Sequence, residues 1–182
     1  FTIGSVTNGT APTSNDNLVL TINDADSAPV ISFDTDNNET SKSEGNRPTL
    51  KVLQNIKSQY TTATVNFAVT TSGDFTSSDF STSVSSVSLP PNSLTAIQLP
   101  IDLVNDALHE DNETMLVTIT AGDNCTVNTA KDDASITITD NDNPPILSFE
   151  LVSSSPNEGT GGSDAIQQVK IQLLDPNGSG NE

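Results

Sequence analysis

Apolar residues recur at every second position through much of the chain. In "TATVNFAV" Ala63, Val65, Phe67 and Val69 share one face, with Thr64, Asn66 and Ala68 on the other, the alternation of a half-buried strand. "AIQLPIDLV" sets Ile97, Leu99, Ile101 and Leu103 on one face and Pro100 on the other. A proline has no N–H to give a ladder, so an edge strand or a bulge is expected there. "PTLKVLQ", "TMLVTIT" and "SITIT" supply further strands, rich in the Thr, Val and Ile that suit a pleated surface. No segment carries the periodicity of a helix. Clusters of Ser, Asn, Asp and Gly separate the runs, as turns require. About seven short strands in some 115 residues predict an all-β fold, an antiparallel β-sandwich.

The pattern also repeats. Residues 1–33 lie over 117–149 without a gap, with 13 of 33 positions identical at a constant offset of 116. "SEGN" at 43–46 returns as "NEGT" at 157–160, shifted by a two-residue deletion. An offset of this size indicates tandem domains and not a short-period solenoid. Three pieces are expected: 1–27, the C-terminal part of one repeat; 28–143, a complete repeat; and 144–182, the N-terminal part of the next. Beginning in "FTIGSV" and closing in "NGSGNE", the chain reads as a window on a longer array.

Charge narrows the function. The 182 residues include 24 acidic and 6 basic ones, for a net charge of -18. That sign disfavours nucleic acid, which needs Lys and Arg against its phosphates, and anionic membrane surfaces. It favours cations as partners. No run of about 18 apolar residues offers a membrane span. The lone Cys125 has no partner for a disulfide within the chain, and a small, partly buried packing residue is the expected role.

The carboxylates are not evenly spread. Glu44 precedes the strand at 48–54, Asp79 follows the strand at 61–70, and Asp106, Glu110 and Glu113 crowd one turn. Asp140 and Asp142 close the last strand. Alternate loops of an antiparallel sandwich emerge at one end, so these groups are expected at a common pole. Like charges gathered there need a counter-ion. A hard divalent cation with oxygen ligands, calcium above all, meets that need. No His or Cys cluster argues for zinc, and no EF-hand loop is present. "DAD" at 24–26 and "DND" at 140–142 each end a strand just before a Pro-Val/Ile-Ile/Leu-Ser-Phe run, so two charges return at each repeat boundary.

"SEGN" at 43–46, "SSDF" at 77–80, "NDALHEDNETMLV" at 105–117 and "ITITDNDNPP" at 136–145, taken in this order, resemble the Calx-β domain family. The resemblance spans 28–143 and runs into both partial repeats. It implies tandem immunoglobulin-like sandwiches that bind calcium in their distal loops near the junction with the next domain. It also implies a ligand set of Glu44, Asp79, Asp106, Glu110, Glu113, Asp140 and Asp142, with the Leu108 backbone carbonyl. Asp24 and Asp26 from the first repeat and Glu158 from the third would be halves of further sites. Asn105, Ala107 and Asn141 stand where the family often has Asp, which implies about two ions and weaker binding than in the most acidic members. By the same spacing Asp102 and Asp111 are not ligands.

His109, the single histidine, lies between two expected ligands but is assigned a surface or packing role. Without a nucleophile elbow or triad spacing, no enzyme is expected. Five N-x-[ST] sequons, at Asn8, Asn38, Asn112, Asn124 and Asn177, matter only where the source glycosylates. The favoured reading is a calcium-binding structural repeat of a long extracellular or cell-surface protein, an adhesin, matrix or filament stalk, stiffened by calcium at its junctions. Its partners would be neighbouring repeats, with other surface proteins or glycans possible. The alternative is a regulatory calcium sensor, as in the resembling domains of sodium–calcium exchangers.

Overall fold

The computed structural model describes residues 7–10, 17–23, 25–58, 61–150, 169–174 and 176. Among them it contains strands and no helix. The strands are β1 (Val30–Phe33), β2 (Ser41–Ser43), β3 (Lys51–Gln54), β4 (Ala63–Thr70), β5 (Phe80–Thr82), β6 (Ser86–Leu89), β7 (Ile97–Gln98), β8 (Ile101–Leu103), β9 (Glu113–Ala121), β10 (Thr126–Val127), β11 (Asp133–Thr139), β12 (Ile146–Phe149) and β13 (Ile171–Leu174). One sheet has the order β10-β1-β3-β7 and the other β2-β11-β9-β4-β6. A short ribbon pairs β5 with β8, and a separate hairpin pairs β12 with β13.

The alternation read from the sequence is the alternation that packs. Ala63, Val65 and Phe67 are buried and Val69 joins them half-buried. Met115, Val117, Ile119, Ile136 and Ile138 complete that sheet's inner face against Ile31, Phe33, Leu50 and Val52 of the other, in one continuous core. Each such side chain, fully buried, contributes roughly 1.5–3 kcal/mol. With no tryptophan, the bulk comes from aliphatic residues and a few Phe. Phe75 and Phe80 stack with centroids 5.5 Å apart.

The apolar runs resolve into more strands than seven for two reasons. Pro100 divides one of them: β7 pairs with β3 of the first sheet, while β8 turns away to pair with β5. Leu99, Ile101 and Leu103 stay buried across the break. The first strand of the sandwich is also divided, because it crosses between sheets. At the crossing the Asp34 carbonyl accepts the N–H groups of Asn37 and Asn38 (3.2 and 3.0 Å), and the Asn37 amide holds both Asp34 carboxylate oxygens (2.9 and 3.0 Å). After the crossing β2 runs parallel to β11, as β1 runs parallel to β10. The other ladders are antiparallel.

The hairpin repeats the pairing of the sandwich's own first sheet. Phe149 lies opposite Ile171 in β12–β13, as Phe33 lies opposite Val52 in β1–β3. The Cys125 thiol is half-buried and donates to the Thr64 carbonyl (3.1 Å).

Candidate metal site

Ladder register concentrates the acidic groups. β2 runs beside the end of β11, and the Glu44 N–H donates to the Thr139 carbonyl (3.2 Å). That sets Glu44 beside the 140–142 exit. β9 pairs antiparallel with β11, which places Glu113 level with Ile138. The 104–112 link between β8 and β9 therefore lies over the same pole. Asp79 is brought in from the turn before β5, where its carboxylate accepts from the Thr76 hydroxyl (3.0 Å) and its carbonyl accepts the Val104 N–H (2.9 Å).

Local turns aim the side chains. In "SEGN" Gly45 has φ +71°, a conformation that costs an L-residue about 1–2 kcal/mol. A Cβ there would lie 2.9 Å from Asn105 Oδ1, so glycine also lets the 104–112 link close over β2. The Asn46 amide donates to the Glu44 carbonyl (3.0 Å). Asp106 Oδ1 accepts the Leu108 N–H (2.8 Å). Asp140 accepts the Asp142 N–H (2.8 Å) and the Glu110 N–H (2.9 Å), and the Glu44 carboxylate accepts the Asn141 N–H (3.0 Å).

The outcome is a small cavity of about 20 Å³ lined by Glu44, Asp79, Asp106, Glu110, Asp111, Glu113 and Asp140, floored by Val104 and Ile138. A single water needs about 10–15 Å³ measured this way. On one side, carboxylate oxygens of Glu44, Asp140 and Asp142 lie within 4.8 Å of one another. An ion with bonds of about 2.3–2.6 Å spans oxygens at such separations.

The electrostatics are those of a site short of positive charge. Burial, and then the charges of Asp79, Glu110, Asp74 and Glu44, push the Glu113 carboxyl up to about 7. Its Oε1 is buried with no hydrogen-bond partner among the described residues. Glu110 is raised by burial and by Asp106, Asp79, Glu44 and Asp140. Glu44 is raised chiefly by burial, against the Asn141 N–H. Burial acts upward on Asp140 too, but the N–H groups of Asp142 and Glu110, and then His109, outweigh it and hold the carboxyl low. The Arg47 guanidinium is engaged elsewhere, gripping both Asp102 oxygens at 2.6 Å, and Lys42 pairs with Glu39. The donors are hard oxygens throughout, and an oxygen-seeking divalent cation fits them.

Of the residues singled out from the sequence, Glu44, Asp79, Asp106, Glu110, Glu113 and Asp140 line the one cavity, and Asp142 joins through its grouping with Glu44 and Asp140. Leu108 is 51% exposed and does not line it. Asp26 lines a different groove, with Pro29, Ile56 and Lys57. Asp24 and Glu158 lie outside the described residues. Asn105 and Asn141 join side chain to side chain (2.8 Å), an amide pair where two carboxylates would repel. Two residues have parts that sequence reasoning did not assign them. Asp111 lines the cavity. His109 Nδ1 lies 2.6 Å from Asp140 Oδ2 and 3.1 Å from the Asp142 carbonyl. Its place between two expected ligands was the available signal.

No protein-family model and no curated protein sequence matches this chain. Among solved structures the chain is similar to the apo form of the Calx CBD1 domain, at 15% identity and a TM-score of 0.51, covering 64% of this chain and 100% of that one. It is also similar to CBD12 from CALX1.2, at 18% identity and a TM-score of 0.51, covering 66% of this chain and 48% of that one. The fold is Calx-β-like.

Proposed function

We propose that residues 28–143 form a calcium-binding domain in which Glu44, Asp79, Asp106, Glu110, Glu113, Asp140 and Asp142 hold the ion, and that it acts as a binding module and not as an enzyme. The observation that carries this reading is the convergence of carboxylates from four separate chain segments on one small cavity, with a Glu113 oxygen buried and without a partner among the described residues. Calcium titration by calorimetry tests it, with Glu113→Gln as the control. Heat of binding lost in the variant supports the site, and no binding by the native chain refutes it.

Of the two settings weighed from the sequence, the likeness to Calx CBD1 and CBD12 favours regulatory calcium sensing, the role implied for resembling domains of sodium–calcium exchangers. The second setting, a repeat in a calcium-stiffened extracellular array, draws support from the repetition at an offset of 116. Affinity separates them: sensors bind at about 0.1–10 μM and extracellular modules at about 0.1–1 mM.

A further inference from the structure

Two uncharged side chains stand among the carboxylates of the acidic pole. Asn141 Nδ2 donates to Asn105 Oδ1 at 2.8 Å, which joins the exit from β11 to the link between β8 and β9. Asn105 Nδ2 donates in turn to the Asp106 carbonyl at 2.7 Å, so the Asn105 amide is fixed with its oxygen toward Asn141. The Asn141 backbone N–H donates to Glu44 Oε1 at 3.0 Å. Gly45 comes so near Asn105 that a Cβ on it would lie 2.9 Å from Oδ1. Beside Asn105, the Val104 N–H donates to the Asp79 carbonyl at 2.9 Å. The pair therefore sits where all four segments that bring carboxylates to the cavity come together.

What distinguishes this tie from its neighbours is where it ends. The Glu110 N–H and His109 also join the link to the exit, but both end on Asp140, and the Asn141 N–H ends on Glu44. Those carboxylate oxygens are the ones an ion would draw on. The amide–amide bond uses none of them and adds no charge to a crowded acidic pole. Two carboxylates in the same places would repel, and would close only around a cation. Resting on the calcium-site reading, we infer that Asn105 and Asn141 form an uncharged latch that holds the link against the exit with and without the ion, and so sets the calcium affinity of the site. They are positioning residues and not ligands. Order that the latch supplies in the ion-free chain does not have to be supplied by calcium. The latch also limits how far the link swings when calcium arrives.

A double-mutant cycle with Asn105→Ala, Asn141→Ala and both together tests the latch, read in two ways on the full chain. Calcium titration by calorimetry should show each single variant binding about three- to tenfold more weakly, the size of one ordinary hydrogen bond. The double variant should bind no more weakly than the weaker single one, because either change alone already opens the latch. Amide hydrogen exchange in chelator should show the Glu110 N–H, which bridges the same two segments, exchanging faster in every variant. The Ile119 N–H, bonded to the Asp132 carbonyl in the body of the sandwich, should keep its native rate. Unchanged calcium affinity overturns the inference, since a merely structural pair lowers the melting temperature and leaves the Kd alone. Losses of affinity that add across the cycle overturn it as well, and so does Glu110 exchange that stays at the native rate. A native chain that binds no calcium refutes the site reading and the latch's effect on affinity with it. Exchange measured in chelator is independent of that result and decides by itself whether the latch holds.

Discussion

Glu113 and Ile138 face each other across the β9–β11 ladder, and that pairing sets a carboxylate at the rim of an apolar core. One Glu113 oxygen is shut away from solvent with no partner among the described residues, close enough to four other acidic groups for their charges to raise its pKa. Negative charge is thereby concentrated around a poorly solvated carboxylate.

Calcium should stabilise the domain markedly. Only the folded chain brings together the carboxylates of Glu44, Asp79, the 106–113 link and the 140–142 exit. At a free concentration about 100 times the Kd, one site adds about 2.7 kcal/mol. Thermal melts in excess calcium and in chelator check this, and superimposable melts would exclude a folded-state site.

Glu113→Gln should have opposite effects with and without the ion. Without calcium the variant removes a poorly solvated charge, so its melting temperature above pH 7 should exceed the native value. With calcium it lacks a ligand, and affinity should fall at least tenfold, about 1.4 kcal/mol. Asp102→Asn should leave affinity unchanged, because Asp102 is occupied by Arg47. A diffuse acidic surface would respond alike to both substitutions.

The ion-free domain should lose stability as pH rises from about 4.5 to about 7. Glu113 takes up its proton more readily folded than unfolded, with a folded pKa of about 7 against 4.5; Glu110 and Glu44 shift in the same direction. The folded state therefore binds more protons across that window, and the slope of stability with pH is negative. Asp140, held low, acts oppositely, its contribution being lost only as pH falls below the ordinary Asp range. Denaturant melts in chelator at several pH values measure this. Saturating calcium should flatten or reverse the slope.

Gly45→Ala should weaken both fold and site. The left-handed backbone costs about 1–2 kcal/mol for alanine. The added methyl also displaces Asn105, which bonds Asn141 at 2.8 Å. Reduced calcium affinity alongside a lowered melting temperature is the expected pair of results, and a stability loss with unchanged affinity would show that the turn does not position the ligands.

Strands with a clear alternation, such as Ala63–Thr70, could be read from the sequence because period two leaves one face apolar. The crossing of the first strand could not: Ser41–Ser43 is too short and too polar to show a period. Pro100 signalled an interruption, though its effect, sending β8 to pair with β5, depends on a partner some twenty residues upstream. The acidic residues could be gathered at one pole by strand logic, and six of them line one cavity. Single-residue roles were less accessible. Asp111 differs from its neighbours in the turn by no local pattern, and the bond from His109 to Asp140 spans 31 positions.

The crossing of the first strand has a mechanical consequence. The opening strands run parallel to the closing ones, joined by Thr126 N–H to the Pro29 carbonyl, Asn128 to Ile31, Thr137 to Thr40 and Glu44 to Thr139. If residues before Val30 and after Thr139 are pulled in opposite directions, these strands slide along each other. Their hydrogen bonds bear the load together, in shear, and do not peel open one by one as a zipper would. Resistance to tension is thereby built into the order in which the chain visits its two sheets, and it is present before any ion binds.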